Sequence, residues 1–280
     1  MRVHLLGVRG SVPTPGPLFA RYGGNTSSVA VALDGAAPSL VLDAGTGLRS
    51  LPALLDGRPF DGTLLLTHLH WDHVEGLPFC SAVDEDGARC DLRLPAQPDG
   101  VDATSTLARM MSPPNFPIRP EGLRGRWTFS SLEPGEHRME GFTVAATEIA
   151  HKGGRTFGYR VSDGRSALAY LPDHCPTRYG PGPDGWGRVP ESVLDLVRGV
   201  DVLVHDAQLV ASELPGGAAY GHAAAEYAVS LGSLAAVGTV VLFHHSPVRT
   251  DAGLDALANR YCHHVAPRVV AAVEGQVLDL

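Results

Sequence analysis

The sequence predicts an α/β domain in which two packed β-sheets are flanked by helices. Three observations predict it. Short apolar runs of strand length come in two batches along the chain, and helical patterns follow each batch. Turns at Asp34-Gly35 and Asp163-Gly164 join neighbouring runs. No repeat of fixed period and no linker-like break divides the 280 residues, so one domain spanning 1–280 is expected.

Residues 3–8 form an apolar run that reads as a buried strand, closed by the Gly- and Pro-rich loop that follows it. Strands are expected at 28–33 and 39–42, and Asp43-Ala44-Gly45-Thr46-Gly47 ends the second and opens a helix at 48–55. Residues 63–67, TLLLT, are apolar throughout and read as a strand buried on both faces. A strand at 91–94 and a helix at 103–111 follow, the helix stopped by Ser112-Pro113-Pro114. Residues 112–126, with four Pro and three Arg, read as a surface loop or lid. The second batch of strands covers 127–129, 142–149, 156–161 and 167–171. After an irregular Gly/Pro stretch at 176–188, helices are expected at 190–198, 222–231 and 251–264, the last capped by Asp251. Strands are expected between them at 201–204 and 240–243, and a last one at 268–273.

The composition narrows the chemistry. Thirteen His stand in a chain of net charge −8 that has only four Cys. Cys80, Cys90, Cys175 and Cys262 form no C-x-x-C pair, which points to reduced thiols in a cytoplasmic protein and leaves metal binding to His and carboxylates. No apolar run is long enough for a membrane span. The acidic balance argues against a protein that grips long nucleic acids by charge, and leaves room for a small anionic substrate drawn by a bound cation.

The residues that carry this chemistry follow the TLLLT run. His68, His70, Asp72 and His73 lie within six residues. In a strand tail His68 and His70 point to the same side, because side chains alternate with period two. They can bind one divalent ion, while Asp72 and His73 face a second about 3.5–4 Å away. Neutral imidazole and carboxylate suit zinc, iron or manganese.

This H-x-H-x-D-H pattern after an apolar strand resembles the metallo-β-lactamase-fold superfamily, and other segments extend the resemblance over nearly the whole chain. Asp43, in Val41-Leu42-Asp43-Ala44-Gly45-Thr46-Gly47, is similar to the superfamily's bracing Asp. His151 in Glu148-Ile149-Ala150-His151, Asp173 in Leu171-Pro172-Asp173-His174 and His244 in Leu242-Phe243-His244-His245 are similar to its later metal positions. Arg21-Tyr22-Gly23-Gly24-Asn25-Thr26 and Gly221-His222 resemble the ribonuclease Z and phosphodiesterase-like branch.

The resemblance implies a four-layer αββα sandwich of two mixed sheets and a dinuclear hydrolase. His68, His70 and His151 would hold one divalent ion, Asp72, His73 and His244 the other, and Asp173 would bridge them; zinc is the leading metal, with manganese or iron as alternatives. The nucleophile would be a water or hydroxide between the ions, with Asp72 taking its proton. His222 would be catalytic, supported by Asp206, although Ala223-Ala224 follow it where the branch has Ser-Thr. His244 or its neighbour His245 supplies the last ligand, and His244 is preferred as the first residue after the apolar run. The branch also implies a homodimer. Lys152 and Arg155 are candidate contacts for an anion, whereas Arg119 reads as a solvated charge. The expected substrate is a small phosphodiester such as a cyclic nucleotide or short oligonucleotide. A lactone, thioester or amide, or a non-catalytic ligand-binding role, is the alternative on the same site.

Overall fold

In the computed structural model, which describes residues Met1–Leu280, the strands divide into two seven-stranded sheets. The first begins with β1 (Arg2–Gly7), β2 (Ser28–Ala32), β3 (Leu40–Leu42), β4 (Asp61–Leu65), β5 (Arg89–Pro95) and β6 (Arg126–Leu132). The second holds β7 (Gly135–Met139), β8 (Phe142–Ile149), β9 (Thr156–Ser162), β10 (Ala167–Leu171), β11 (Val202–Asp206), β12 (Thr239–Phe243) and β13 (Arg268–Ala271). β14 (Val277–Asp279) returns to the first sheet, giving the orders β14-β1-β2-β3-β4-β5-β6 and β13-β12-β11-β10-β9-β8-β7. Both sheets are mixed. Antiparallel pairing runs from β14 to β3 and from β7 to β10, and parallel pairing from β3 to β6 and from β10 to β13.

The sheets face each other across one apolar layer. Val3, Leu5, Leu40 and Leu42 of the first sheet meet Phe142, Tyr159, Val204 and Phe243 of the second, all buried. Alternate residues of the same strands face outward under helices. Val41, Leu64 and Leu92 are covered by α1 (Leu51–Leu54) and α2 (Ala103–Ala108). Leu171, Leu203 and Val240 are covered by α3 (Glu191–Val197), α5 (Ala225–Leu234) and α6 (Asp251–Arg260), with the short α4 (Leu214–Gly217) preceding α5. Strands covered on both faces bury nearly every residue, which is why β4, β10 and β12 show almost no alternation of burial. The layers are therefore helix, sheet, sheet, helix, as expected. No helix is long and apolar enough to cross a membrane.

Several expected elements shift. The helix expected at 48–55 is a 3₁₀ turn at Thr46–Ser50 followed by the single turn α1. The helix expected at 222–231 starts only at Ala225, so His222 stands on the loop before it. α6 is capped by Thr250, whose side chain accepts from the Gly253 N–H at 3.3 Å. Asp251 instead accepts from the backbone N–H of Arg21 at 2.9 Å and tethers the N-terminal loop. β4 ends at Leu65, so the pleat does not carry His68 and His70.

Candidate metal centre

The sheets' geometry gathers the candidate donors in one place. Those from the first sheet follow β4, and those from the second follow β8, β10 and β12. The carboxyl ends of strands are where open α/β sheets place ligands, because their loops diverge there. His68 leaves β4 through an irregular turn, and the 3₁₀ turn Trp71–His73 then swings Asp72 and His73 inward.

His68, His70 and His151 form one donor group. His68 Nε2 lies 2.9 Å from His70 Nδ1, and His151 Nε2 lies 3.2 Å from that same nitrogen. Asp72, His73 and His244 form a second. Asp72 Oδ2 is 3.4 Å from His73 Nε2 and 3.1 Å from His244 Nε2. Asp173 stands between them: Oδ1 is 3.6 Å from His151 Nε2, and Oδ2 is 2.7 Å from His73 Nε2 and 3.3 Å from His244 Nε2. All seven residues named from the sequence as ligands thus meet. In each group the donor atoms lie within 4.8 Å of one another.

Residues behind the donors hold each ring. Asp43, at φ 58°, accepts from the Thr67 N–H at 2.7 Å, from the Tyr170 hydroxyl at 3.0 Å and from His73 Nδ1 at 2.8 Å. The bond from His73 Nδ1 leaves its Nε2 free for the cluster. His151 Nδ1 donates to the Gly221 carbonyl at 2.8 Å, with the same result. Gly221 is at φ 94°, a conformation that suits glycine, and so turns its carbonyl inward. The Gln208 side-chain amide lies 3.2 Å from His244 Nδ1, and the Ser11 N–H donates to Asp72 Oδ2 at 2.7 Å. Gly10 leaves room for this: a Cβ there would stand 2.4 Å from His244 Nδ1.

Neighbouring His244 and His245 go opposite ways. His244 adopts φ 56°, which turns its ring off the strand and into the cluster. His245 is buried on the other side, where its Nε2 donates to the Ala272 carbonyl at 2.8 Å. Burial pushes the His245 pKa down to about 3. The unfolded chain therefore takes up this proton first, and stability falls as pH drops from about 6.5 toward 3, by on the order of 4 kcal/mol for this group. His245→Gln keeps a donor for Ala272 and cannot titrate. Its acid unfolding, followed by thermal melts across pH 3–7, is expected to show a shallower loss of Tm than the native chain; an identical acid limb would contradict this.

Burial lowers the His68 pKa well below its usual value, which suits a neutral ligand. Burial alone would lower His73 too, but Asp72, Asp173 and Asp43 outweigh it and hold it well above its usual value. Asp173 Oδ2 is buried with no aligned hydrogen-bond donor. Five imidazoles and two carboxylates turned on one another, Asp43 holding the His73 ring from behind, and an Asp173 oxygen without an aligned donor together fit divalent cations.

Asp206 and His222 sit against this cluster. His222 Nδ1 lies 3.0 Å from Asp206 Oδ2 and 3.3 Å from Asp173 Oδ1. Asp206 is fully buried and also accepts from the His174 N–H at 3.1 Å and the Gln208 N–H at 2.9 Å. Burial opposes charge on His222, but Asp206 and then Asp173 push its pKa up to about 9. An imidazole paired in this way with Asp206 is a good partner for an anion. His205 is a packed histidine, 3.0 Å from His174 Nδ1.

The supporting contacts of Ser11, Gln208, Tyr170 and the Gly221 carbonyl were not foreseen from sequence, although Gln208, Tyr170 and Gly221 lie in or beside segments singled out there. The candidate anion contacts divide. Lys152 lines the cleft of about 400 Å³ over the donors. Arg155 is held by Glu148 and Glu133, and Arg119 stands at the start of a 3₁₀ turn away from the cleft. All four cysteines are free thiols, three of them buried.

Known proteins share this architecture. The profile of the beta-lactamase superfamily domain matches residues 39–245. Ribonuclease Z of Haloarcula marismortui is 26% identical, over 98% of this chain and 95% of its own. The metallo-beta-lactamase fold protein YhfI of Bacillus subtilis superposes with a TM-score of 0.72 at 16% identity, covering 99% of both chains. A diphosphatase of the PhnP family superposes with a TM-score of 0.68 at 18% identity, covering 100% of this chain and 97% of its own. The match over most of the chain, the two mixed sheets and the buried histidine–aspartate cluster make this protein a metal-dependent hydrolase of the beta-lactamase superfamily, similar to its ribonuclease Z and phosphodiesterase-like branch.

Proposed function

We propose that the chain is a dinuclear phosphodiesterase acting on a small phosphodiester. The observation that carries the reading is the Asp206–His222 pair beside Asp173, which puts a cationic imidazole at the edge of the metal cleft. His68, His70 and His151 would hold one ion, Asp72, His73 and His244 the second, and Asp173 both. Bound divalent ions, zinc foremost, would supply an activated water and neutralise charge on phosphate. The rest falls to the protein's own side chains. Asp72 is the carboxylate placed to take the proton of the attacking water. With Nδ1 held by Asp206, His222 has Nε2 left for the substrate, where it offers a proton to a phosphoryl or leaving-group oxygen. Lys152, anchored on the Ala219 carbonyl at 2.9 Å, adds positive charge to the rim.

The net charge of −8 favours a small substrate over a long nucleic acid. The ribonuclease Z relative supports the phosphodiester bond itself, and the PhnP-family diphosphatase superposition supports the fold that carries the site. Metal-loaded protein is therefore expected to turn over bis-p-nitrophenyl phosphate or cyclic nucleotides, and a short oligoribonucleotide belongs in the same screen. Turnover confined to lactones, thioesters or amides would overturn the phosphodiester reading. Metal loading with no turnover of any of these would favour a binding protein.

A further inference from the structure

The metal cleft continues past its donors onto an apolar wall. Trp71 stands in sequence between His70 and Asp72, yet its side chain is 75% exposed while Asp72 and His73 are buried. A large aromatic left in water beside buried polar groups is the less common arrangement. Its carbonyl accepts from the Val74 N–H at 3.0 Å and the Glu75 N–H at 2.8 Å, so the turn that carries two donors also fixes the root of the indole. Trp71 lines three adjoining cavities. One is the cleft over the donors, and the next, of about 240 Å³, includes Arg109 and Lys152. The third, of about 180 Å³, is walled mainly by apolar side chains, among them Met110 and Phe116. Met110 is shared by the second and third, so polar cleft and apolar groove form one continuous surface with Trp71 at the junction. Phe116 is held edge-to-face against Phe79, with ring centroids 5.9 Å apart, so part of the wall is already assembled.

We infer that Trp71, backed by Met110 and Phe116, is the subsite for an aromatic group carried by the phosphodiester, as in an aryl or nucleoside ester. The inference rests on the phosphodiester reading and narrows its substrate class. Trp71 lines the same cleft as His70, Asp72, His151 and Asp173, so a phosphate anchored among the donors places its ester substituent within reach of the indole. Stacking on an indole face accepts any aromatic ring, and the Met110 thioether adds a sulfur–aromatic contact. An alkyl ester would leave the indole face in water.

Phenyl phosphate and methyl phosphate, titrated calorimetrically into metal-reconstituted protein, test this without turnover. The native chain is expected to bind the phenyl ester about tenfold or more tighter than the methyl ester. Trp71→Ala is expected to reduce the phenyl ester to the methyl level, with methyl phosphate affinity and metal content unchanged, and Trp71→Phe to keep most of the preference. Met110→Ala, remote from the donors in sequence, is expected to lose it several-fold. Equal affinities in the native chain, or both esters weakened alike by Trp71→Ala, would overturn the inference. Because the titration reads binding alone, its failure is distinct from a failure to hydrolyse phosphodiesters.

Discussion

Asp173→Ala is expected to lose metal and activity together, with bound metal falling by half or more and kcat on bis-p-nitrophenyl phosphate by at least about a thousandfold. Asp173 is the carboxylate that reaches both donor groups, through Oδ1 on the His151 side and Oδ2 on the His73 and His244 side. Its carboxylate is buried, and although burial disfavours its charge, His244, His73 and His151 hold its pKa well below the usual range. The site thus keeps a full negative charge where two cations would need it. Asp43→Asn gives the contrast. Asp43 touches His73 Nδ1 but lies outside both donor groups, so metal affinity is expected to fall by roughly 10–100-fold rather than vanish. Elemental analysis after dialysis, with circular dichroism to confirm the fold, checks both. An Asp173→Ala protein that keeps its full metal content would contradict the bridging assignment.

His222→Ala is expected to do the reverse, lowering kcat by about 10²–10⁴-fold while metal content stays native. Its ring is held by Asp206 and lies outside the two groups assigned to metal, so its removal leaves those donors in place. Asp206 acts through His222 and is a positioning residue. Asp206→Asn is expected to cost less in kcat and to move the pH profile. Removing the carboxylate that raises the His222 pKa to about 9 lets that proton leave at lower pH. The alkaline limb of kcat/KM is therefore expected to shift downward. A purely structural role for Asp206 would lower the rate at every pH and leave the limb in place, and an unchanged kcat in His222→Ala would remove it from the mechanism.

How much of this was legible in the sequence depended on how local each signal was. His68, His70, Asp72 and His73 fall within one short segment after an apolar strand, so their purpose could be read directly. His151, Asp173 and His244 each end a strand of the second sheet, and the resemblance supplied them. The two-sheet architecture was readable because many of its inner strands carry short apolar runs, as in LVL, ALAYL and VVLF. β7 and β14 were missed because they are edge strands with largely exposed residues, and GEHRM and VLD carry no apolar pattern. The α6 cap was misplaced by one residue because Thr250 and Asp251 are both capping types and only the Gly253 N–H decides between them. The ring-holding contacts were invisible for another reason. Ser11 meets Asp72 across 61 positions and the Gly221 carbonyl meets His151 across 70, and no local pattern announces a contact of that range.

Titrating metal-free protein with zinc while following bis-p-nitrophenyl phosphate hydrolysis tests the central claim most directly. Activity is expected to rise with bound metal and to saturate at two ions per chain. Saturation at one ion, or turnover that persists without metal, would contradict it.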